Sequence, residues 1–106
     1  MCNYCTIINH FYVYLRENGC MMFEFDTQKS DSNKQKHGID FHEAQYLWMD
    51  PERVIIPARI LNEVRYLMVA RYHRIFWSLV YTIRGDAIRI ISVRKSREDE
   101  KEVYQR

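Results

Sequence analysis

Glycine and proline are scarce, three and two in 106 residues, and the three cysteines all fall within the first 20. Few chain breakers beside two tryptophans, eight tyrosines and five phenylalanines exclude a disordered chain, because that much bulky apolar surface offsets the ordering entropy. An odd cysteine count confined to one end excludes a disulfide framework. Cys2-x2-Cys5 with His10 and Cys20 has the outline of a zinc site, but the spacing is irregular and no second paired knuckle follows. Neither a metal nor any other cofactor is expected. Long apolar runs are also missing: the longest, Thr6 to Leu15, is broken by Asn9 and His10 and falls far short of the roughly 20 residues a membrane helix needs. At 13.0 kDa, with 47% apolar and 28% charged residues, the chain is expected to form one small soluble domain.

Residues 1–20 read as a leader outside that domain, which is expected to span 21–106 and to begin near Met21 and Met22. The leader has neither a basic start nor a small-residue cleavage site, so it is no secretion signal, and a cytoplasmic protein is expected.

What the chain does have is unevenly placed charge. Its net charge is only +2. Between Arg53 and Lys95, however, nine basic residues (Arg53, Arg59, Arg65, Arg71, Arg74, Arg84, Arg89, Arg94, Lys95) face two acidic ones (Glu63, Asp86), a local +7 that leaves −5 for the rest. Eight of the nine are arginines, whose planar fork matches phosphate bidentately and stacks on bases. Tyr66, Tyr72, Trp77 and Tyr81 are interleaved with them, the composition of a single-stranded nucleic-acid surface. The plainer alternative is that the arginines solubilise an exposed sheet face and the aromatics fill the core.

Phe23-Glu24-Phe25 alternates as a short strand, and Asp26 offers an N-cap to a polar helix over Thr27 to His37 that Gly38 stops. With almost no apolar residue, that helix is expected to be held by its ends. Asp40-Phe41-His42-Glu43 has the form of a capping box, and Phe41, Ala44, Leu47 and Trp48 predict an amphipathic helix ending before Pro51. Beyond it, β-branched and aromatic runs predict strands at Arg53 to Ile56, Val64 to Tyr72, Ile75 to Ile83 and Ala87 to Val93. The short links Tyr72-His73-Arg74 and Arg84-Gly85-Asp86 make the last three an antiparallel meander. A charged helix over Arg97 to Tyr104 closes the order β-α-α-β-β-β-β-α, an α+β fold with two N-terminal helices packed on an antiparallel sheet. The acidic run Glu98 to Glu102 reads most simply as a solvated face, or else as the border of a partner's groove.

The pattern Asp26-x2-Lys29-x3-Asn33-x2-Lys36-His37-Gly38-Ile39-x-Phe41-x-Glu43-Ala44, followed by Arg84-Gly85-Asp86-x2-Arg89-Ile90-Ile91-Ser92-x-Arg94-x-Ser96, resembles the BrnT toxin family, over about Met22 to Tyr104. The resemblance implies a RelE-like ribonuclease fold and the toxin half of a type II toxin–antitoxin pair. It further implies a BrnA-like antitoxin, a DNA-binding protein that blocks the toxin and, by dimerising, holds a heterotetramer. Ala70 stands before Arg71 where the family commonly has Gly, which restricts the backbone there.

RNA cleavage without a metal uses the ribose 2′-hydroxyl as nucleophile, so the enzyme must align it, stabilise phosphorane charge and move protons. No HExxH, two-metal carboxylate cluster, P-loop or second well-placed histidine is present, which leaves an arginine-dominated site. The candidate catalytic residues are Arg94, within the Ser92-x-Arg94 motif, Arg71 and His37; the candidate RNA-binding residues are Lys36, Arg84, Arg89 and Lys95. For each cation the plainer role is a surface ion pair. His37 has the pKa range of an acid–base group, or it caps the helix it ends. Tyr81 and Trp48 are expected in the core. The sequence thus points to a metal-independent endoribonuclease toxin; the alternative is a non-catalytic basic module that binds RNA or the antitoxin.

Overall fold

The computed structural model describes residues 4–8, 11–16, 19–60 and 63–106, with side chains over 22–58 and 63–106; the expectations concerning Cys2, Cys5, His10 and Cys20 lie outside the described side chains. Strands β1 (Tyr4–Ile8), β2 (Phe11–Arg16) and β3 (Gly19–Glu24) run antiparallel to one another. Helices α1 (Thr27–His37) and α2 (Phe41–Ala44) follow, and α2 passes into a 3₁₀ turn over Gln45–Met49. Strands β4 (Val54–Ile60), β5 (Glu63–Tyr72), β6 (Ile75–Arg84) and β7 (Ala87–Lys95) form a meander, and α3 (Glu98–Gln105) ends the chain. The sheet order is β1-β2-β3-β7-β6-β5-β4.

The chain is α+β as expected, but two features of that expectation need correction. The helices are not the N-terminal elements, since three strands precede them. The sheet is mixed rather than an antiparallel meander alone, because β3 lies parallel to β7 through Met22↔Ala87, Phe23↔Ile88 and Glu24↔Arg89. The helix expected to run on until just before Pro51 tightens after one turn into the 3₁₀ segment, which brings Leu47 and Trp48 onto the core.

Helix α1 is capped at both ends. Asp26 accepts hydrogen bonds from the backbone N–H groups of Gln28 (2.8 Å) and Lys29 (3.3 Å), while Gly38, at φ 83°, donates to the Lys34 carbonyl. The ends are not its only attachment. Buried Asn33 donates to the carbonyls of Ile39 and Val93, both at 2.8 Å, and accepts from the Val93 N–H. Pairing of β3 with β7 stops at Arg89, and Asn33 supplies the partner that β7 lacks further along. Ser30 accepts from the Phe41 N–H, so a helix with almost no apolar face is fixed by two buried polar side chains.

Between the helices and one sheet face lies the core: Phe23, Phe41, Leu47, Trp48, Met68, Trp77, Leu79, Tyr81, Ile90 and Val93. Trp48 packs edge-on to Phe23 and Tyr81, and Tyr81 stacks on Tyr66, so these aromatics do the work of core residues. One irregularity decides which arginines share a face. The register slips from Tyr81↔Ile90 to Val80↔Ser92, so Ile91 is an extra residue in β7. Ile90 before this bulge and Val93 after it both enter the core, leaving Arg89, Ser92 and Arg94 on the opposite side. Strict alternation, by contrast, groups Ile88, Ile90, Ser92 and Arg94 together.

Candidate functional site

The seven candidate residues do not converge on one point. Arg84 ends β6 at the Gly85-Asp86 turn, six residues along that strand from Ser78, which is the partner of Arg94. At about 3.3 Å per residue the two arginines stand roughly 20 Å apart. Arg89 is nearer the Arg84 end and pairs with Glu24 at 3.6 Å. Lys36 and His37, both exposed, line a hollow between α1 and the bulge of β7, together with Lys29, Asn33 and Ser92. The His37 ring has no hydrogen-bond partner among the described residues, so Gly38, rather than the ring, closes the helix.

Arg71, Arg94 and Lys95 gather at the other end of the sheet, around the β5–β6 turn. Arg94 is gripped end-on by a carboxylate: Nη1 and Nη2 donate to Oε1 and Oε2 of Glu100, each at 2.8 Å. Glu100 Oε1 also accepts from the Ser78 hydroxyl and the Arg97 N–H, and Ser78 in turn meets Ser96. Hydrogen bonding from Arg94, reinforced by those donors, outweighs burial and holds the Glu100 carboxyl down at about 2. The reading of Glu98 to Glu102 as a solvated face is thereby corrected for Glu100, whose side chain is only 12% exposed.

One turn further along α3, Tyr104 packs edge-on against Phe76 and donates from its hydroxyl to Asp50 Oδ2 at 2.8 Å. Burial first, then this bond to a carboxylate, pushes Tyr104 up to about 12. The same Asp50 oxygen accepts from the Arg71 N–H. Burial raises Asp50, but the N–H groups of Arg71 and Glu52 and the Tyr104 hydroxyl together bring it below the usual carboxylate range. Above Phe76, at 5.2 Å from its centroid, lies the Arg71 guanidinium. Beside Phe76 a second hollow collects Arg74, Lys95 and Lys101. Lys101 pairs with Glu98, whereas Arg71, Arg74 and Lys95 have no ion-pair partner among the described residues. Three unpaired cations around an aromatic ring can hold a phosphate chain and stabilise charge developing on it.

The sequence alone missed Glu100, Ser78, Asp50 and Tyr104. The i, i+4 spacing of Glu100 and Tyr104 places both on one face of α3 and was the available signal, but no spacing says which strand residues that face meets.

A model of the ribonuclease toxin BrnT of type II toxin–antitoxin systems matches residues 25–100. The chain belongs to the BrnT family. The match runs from Phe25, just before the α1 cap, to Glu100 itself, so it takes in Asn33, the β7 bulge and the Arg94 clamp. Membership in this family brings an antitoxin as partner and RNA as target. A search of curated proteins found no match. Among the described residues of this BrnT-family chain, no helix is long and apolar enough to cross a membrane.

Proposed function

We propose that this chain is an active endoribonuclease that cleaves RNA through the ribose 2′-hydroxyl without a metal ion, in the cytoplasm, and is neutralised by a BrnA-like antitoxin in a heterotetramer. The fold is read as RelE-like, with residues 21–106 as the toxin domain. The observation that carries the proposal is the gathering of unpaired Arg71, Arg74 and Lys95 around Phe76, beside Arg94, at one end of the sheet in a BrnT-family chain. Arg71 and Arg94 act on the phosphorane charge, Lys95 binds the adjacent backbone, and His37 with Lys36 contacts RNA across the α1 hollow. Arg84 and Arg89 extend the track at the far end.

The test is incubation of the purified full chain with single-stranded RNA in excess chelator, beside an Arg71→Ala copy. Fragments ending in 2′,3′-cyclic phosphate from the parent alone support the reading. Cleavage that stops with chelator overturns metal independence, and no cleavage by folded protein overturns the enzyme reading.

One observation favours the second reading, a non-catalytic module: Glu100 already engages both terminal nitrogens of the Arg94 guanidinium. In that case Arg94 is architecture, and the free cations dock an acidic antitoxin segment. Antitoxin affinity lost on Arg71→Ala, with no cleavage to lose, is its signature.

A further inference from the structure

We propose that the hollow of about 440 Å³ beside the β5–β6 turn is a nucleotide subsite, which stacks one unpaired RNA base on the Tyr46–Tyr72 ring pair and holds the flanking phosphate on Arg71 and Arg74. The inference rests on RNA being the target and names where a base is seated. Tyr46 is not a core residue. The 3₁₀ segment buries its neighbours Gln45, Leu47 and Trp48 and leaves the Tyr46 side 42% exposed. Its ring lies parallel to that of Tyr72, 3° apart with centroids at 5.6 Å, which forms an aromatic platform at the surface. Surface rings held in this way stack bases with little regard to sequence, since every base has a π-face.

The turn beside the platform holds two non-glycine residues in the left-handed region. His73 and Arg74 take φ 53° and 69°, successive left-handed residues in a two-residue hairpin loop where Asn-Gly is the ordinary choice. Two large side chains in that conformation store strain, and strain of this kind marks functional loops. The turn places the His73 ring edge-on to Tyr72 at 4.1 Å, which lengthens the aromatic wall. It also puts Arg74 in the neighbouring hollow beside Phe76, the ring over which the Arg71 guanidinium lies. Asp50 contributes the hollow's carboxylate, and its charge is already engaged by the N–H groups of Arg71 and Glu52 and the Tyr104 hydroxyl. It therefore opposes an incoming phosphate far less than a free carboxylate does. The volume falls in the range of small-ligand sites, about 300–1,000 Å³.

The experiment is fluorescence anisotropy of the full chain with an end-labelled, uncleavable 2′-O-methyl RNA oligomer and with an abasic oligomer of equal length. Tyr46→Ala, confirmed folded by circular dichroism, is expected to bind the base-containing oligomer about tenfold more weakly and the abasic one as the parent does; Tyr46→Phe is expected to restore binding. His73→Asn, which keeps a left-handed turn, reads the wall separately, with a smaller loss expected. Equal binding by Tyr46→Ala and parent overturns the subsite and leaves the ribonuclease reading untouched. Tyr46-dependent binding without RNA cleavage keeps the subsite and overturns the ribonuclease reading. Loss of antitoxin capture with RNA binding unchanged assigns the hollow to a protein interface and overturns the proposal, as does the absence of binding by the parent.

Discussion

Arg94 on β7 and Glu100 on α3 meet edge to edge, both oxygens to both terminal nitrogens at 2.8 Å, and so tie the last helix to the end of the sheet. The side chains are 31% and 12% exposed, so the pair is neither a solvated surface contact nor a fully buried one. Its geometry is the bidentate fork that makes arginine–carboxylate contacts the strongest of the charged hydrogen bonds. An arginine held by both terminal nitrogens is a positioned cation, and any contact it makes with RNA is made from that fixed place.

Removing either partner strands the other, so Glu100→Ala and Arg94→Ala are each expected to destabilise the fold by about 2 kcal/mol. The losses share one interaction. The double variant is therefore expected to fall short of their sum by about 1 kcal/mol or more in urea denaturation. Additive losses would show that the two side chains act independently.

Acid unfolding follows from the same pair. The folded Glu100 carboxyl titrates at about 2 against an ordinary 4.5. Between those values the unfolded chain holds the proton and the folded chain does not, so stability rises with pH across that window. The contribution is whole above about 4.5, gone below about 2, and on the order of 2–3 kcal/mol. Glu43 and Asp50 are also lowered and add in the same direction. Glu100→Gln is expected to flatten the acid limb of a melting-temperature profile, and an unchanged limb sinks the assignment. At the alkaline end the sign reverses for Tyr104: its contribution is whole below its ordinary 10.0 and lost as pH rises through about 12.

The elements that sequence specified best are those with local causes. Asp26 and Gly38 bound α1, the Asp40–Glu43 box starts α2, and Gly85 turns β6 into β7. Residues 4–16 carry β-branched and aromatic runs like those of the meander and form β1 and β2, strands that the reading of this segment as a leader does not specify. The face of β7 was illegible because a single extra residue, Ile91, reverses alternation and leaves no trace in composition. The Arg94 clamp was illegible because it joins residues through the sheet end rather than through spacing. Charge clustering did locate the basic end, though not the 20 Å or so that separates it from Arg84.

Asn33 provides the sharpest test of how α1 is attached. Asn33→Ala leaves the Val93 N–H and the carbonyls of Val93 and Ile39 without their buried partner. The expected cost is about 2–4 kcal/mol in chemical denaturation, far above that of an ordinary polar surface change. A loss near zero would mean that the capped ends suffice after all.

Gln45 is expected to behave in the opposite way. Its side chain is buried, and neither amide atom has a hydrogen-bond partner among the described residues. Gln45→Met keeps the volume and removes two polar atoms from an apolar site, so thermal stability is expected to rise by about 1–2 kcal/mol. A fall in melting temperature would show that the amide is satisfied in solution.

The spacing of the arginines separates chemistry from tracking. Arg71 lies at the basic end over Phe76, while Arg84 lies at the opposite turn of the sheet. Removing a cation that faces developing phosphate charge costs about 10²-fold or more in turnover, so Arg71→Ala is expected to lower kcat on short and long RNA alike. Arg84→Ala removes one distant phosphate contact. It is expected to leave cleavage of a short oligomer near the parent's rate, weaken binding of long RNA, and reduce the salt slope of that binding by about one ion. The check is single-turnover cleavage of a short and a long substrate at several salt concentrations. A loss on the short oligomer from Arg84→Ala as large as that from Arg71→Ala would put the reacting phosphate elsewhere than at the β5–β6 end.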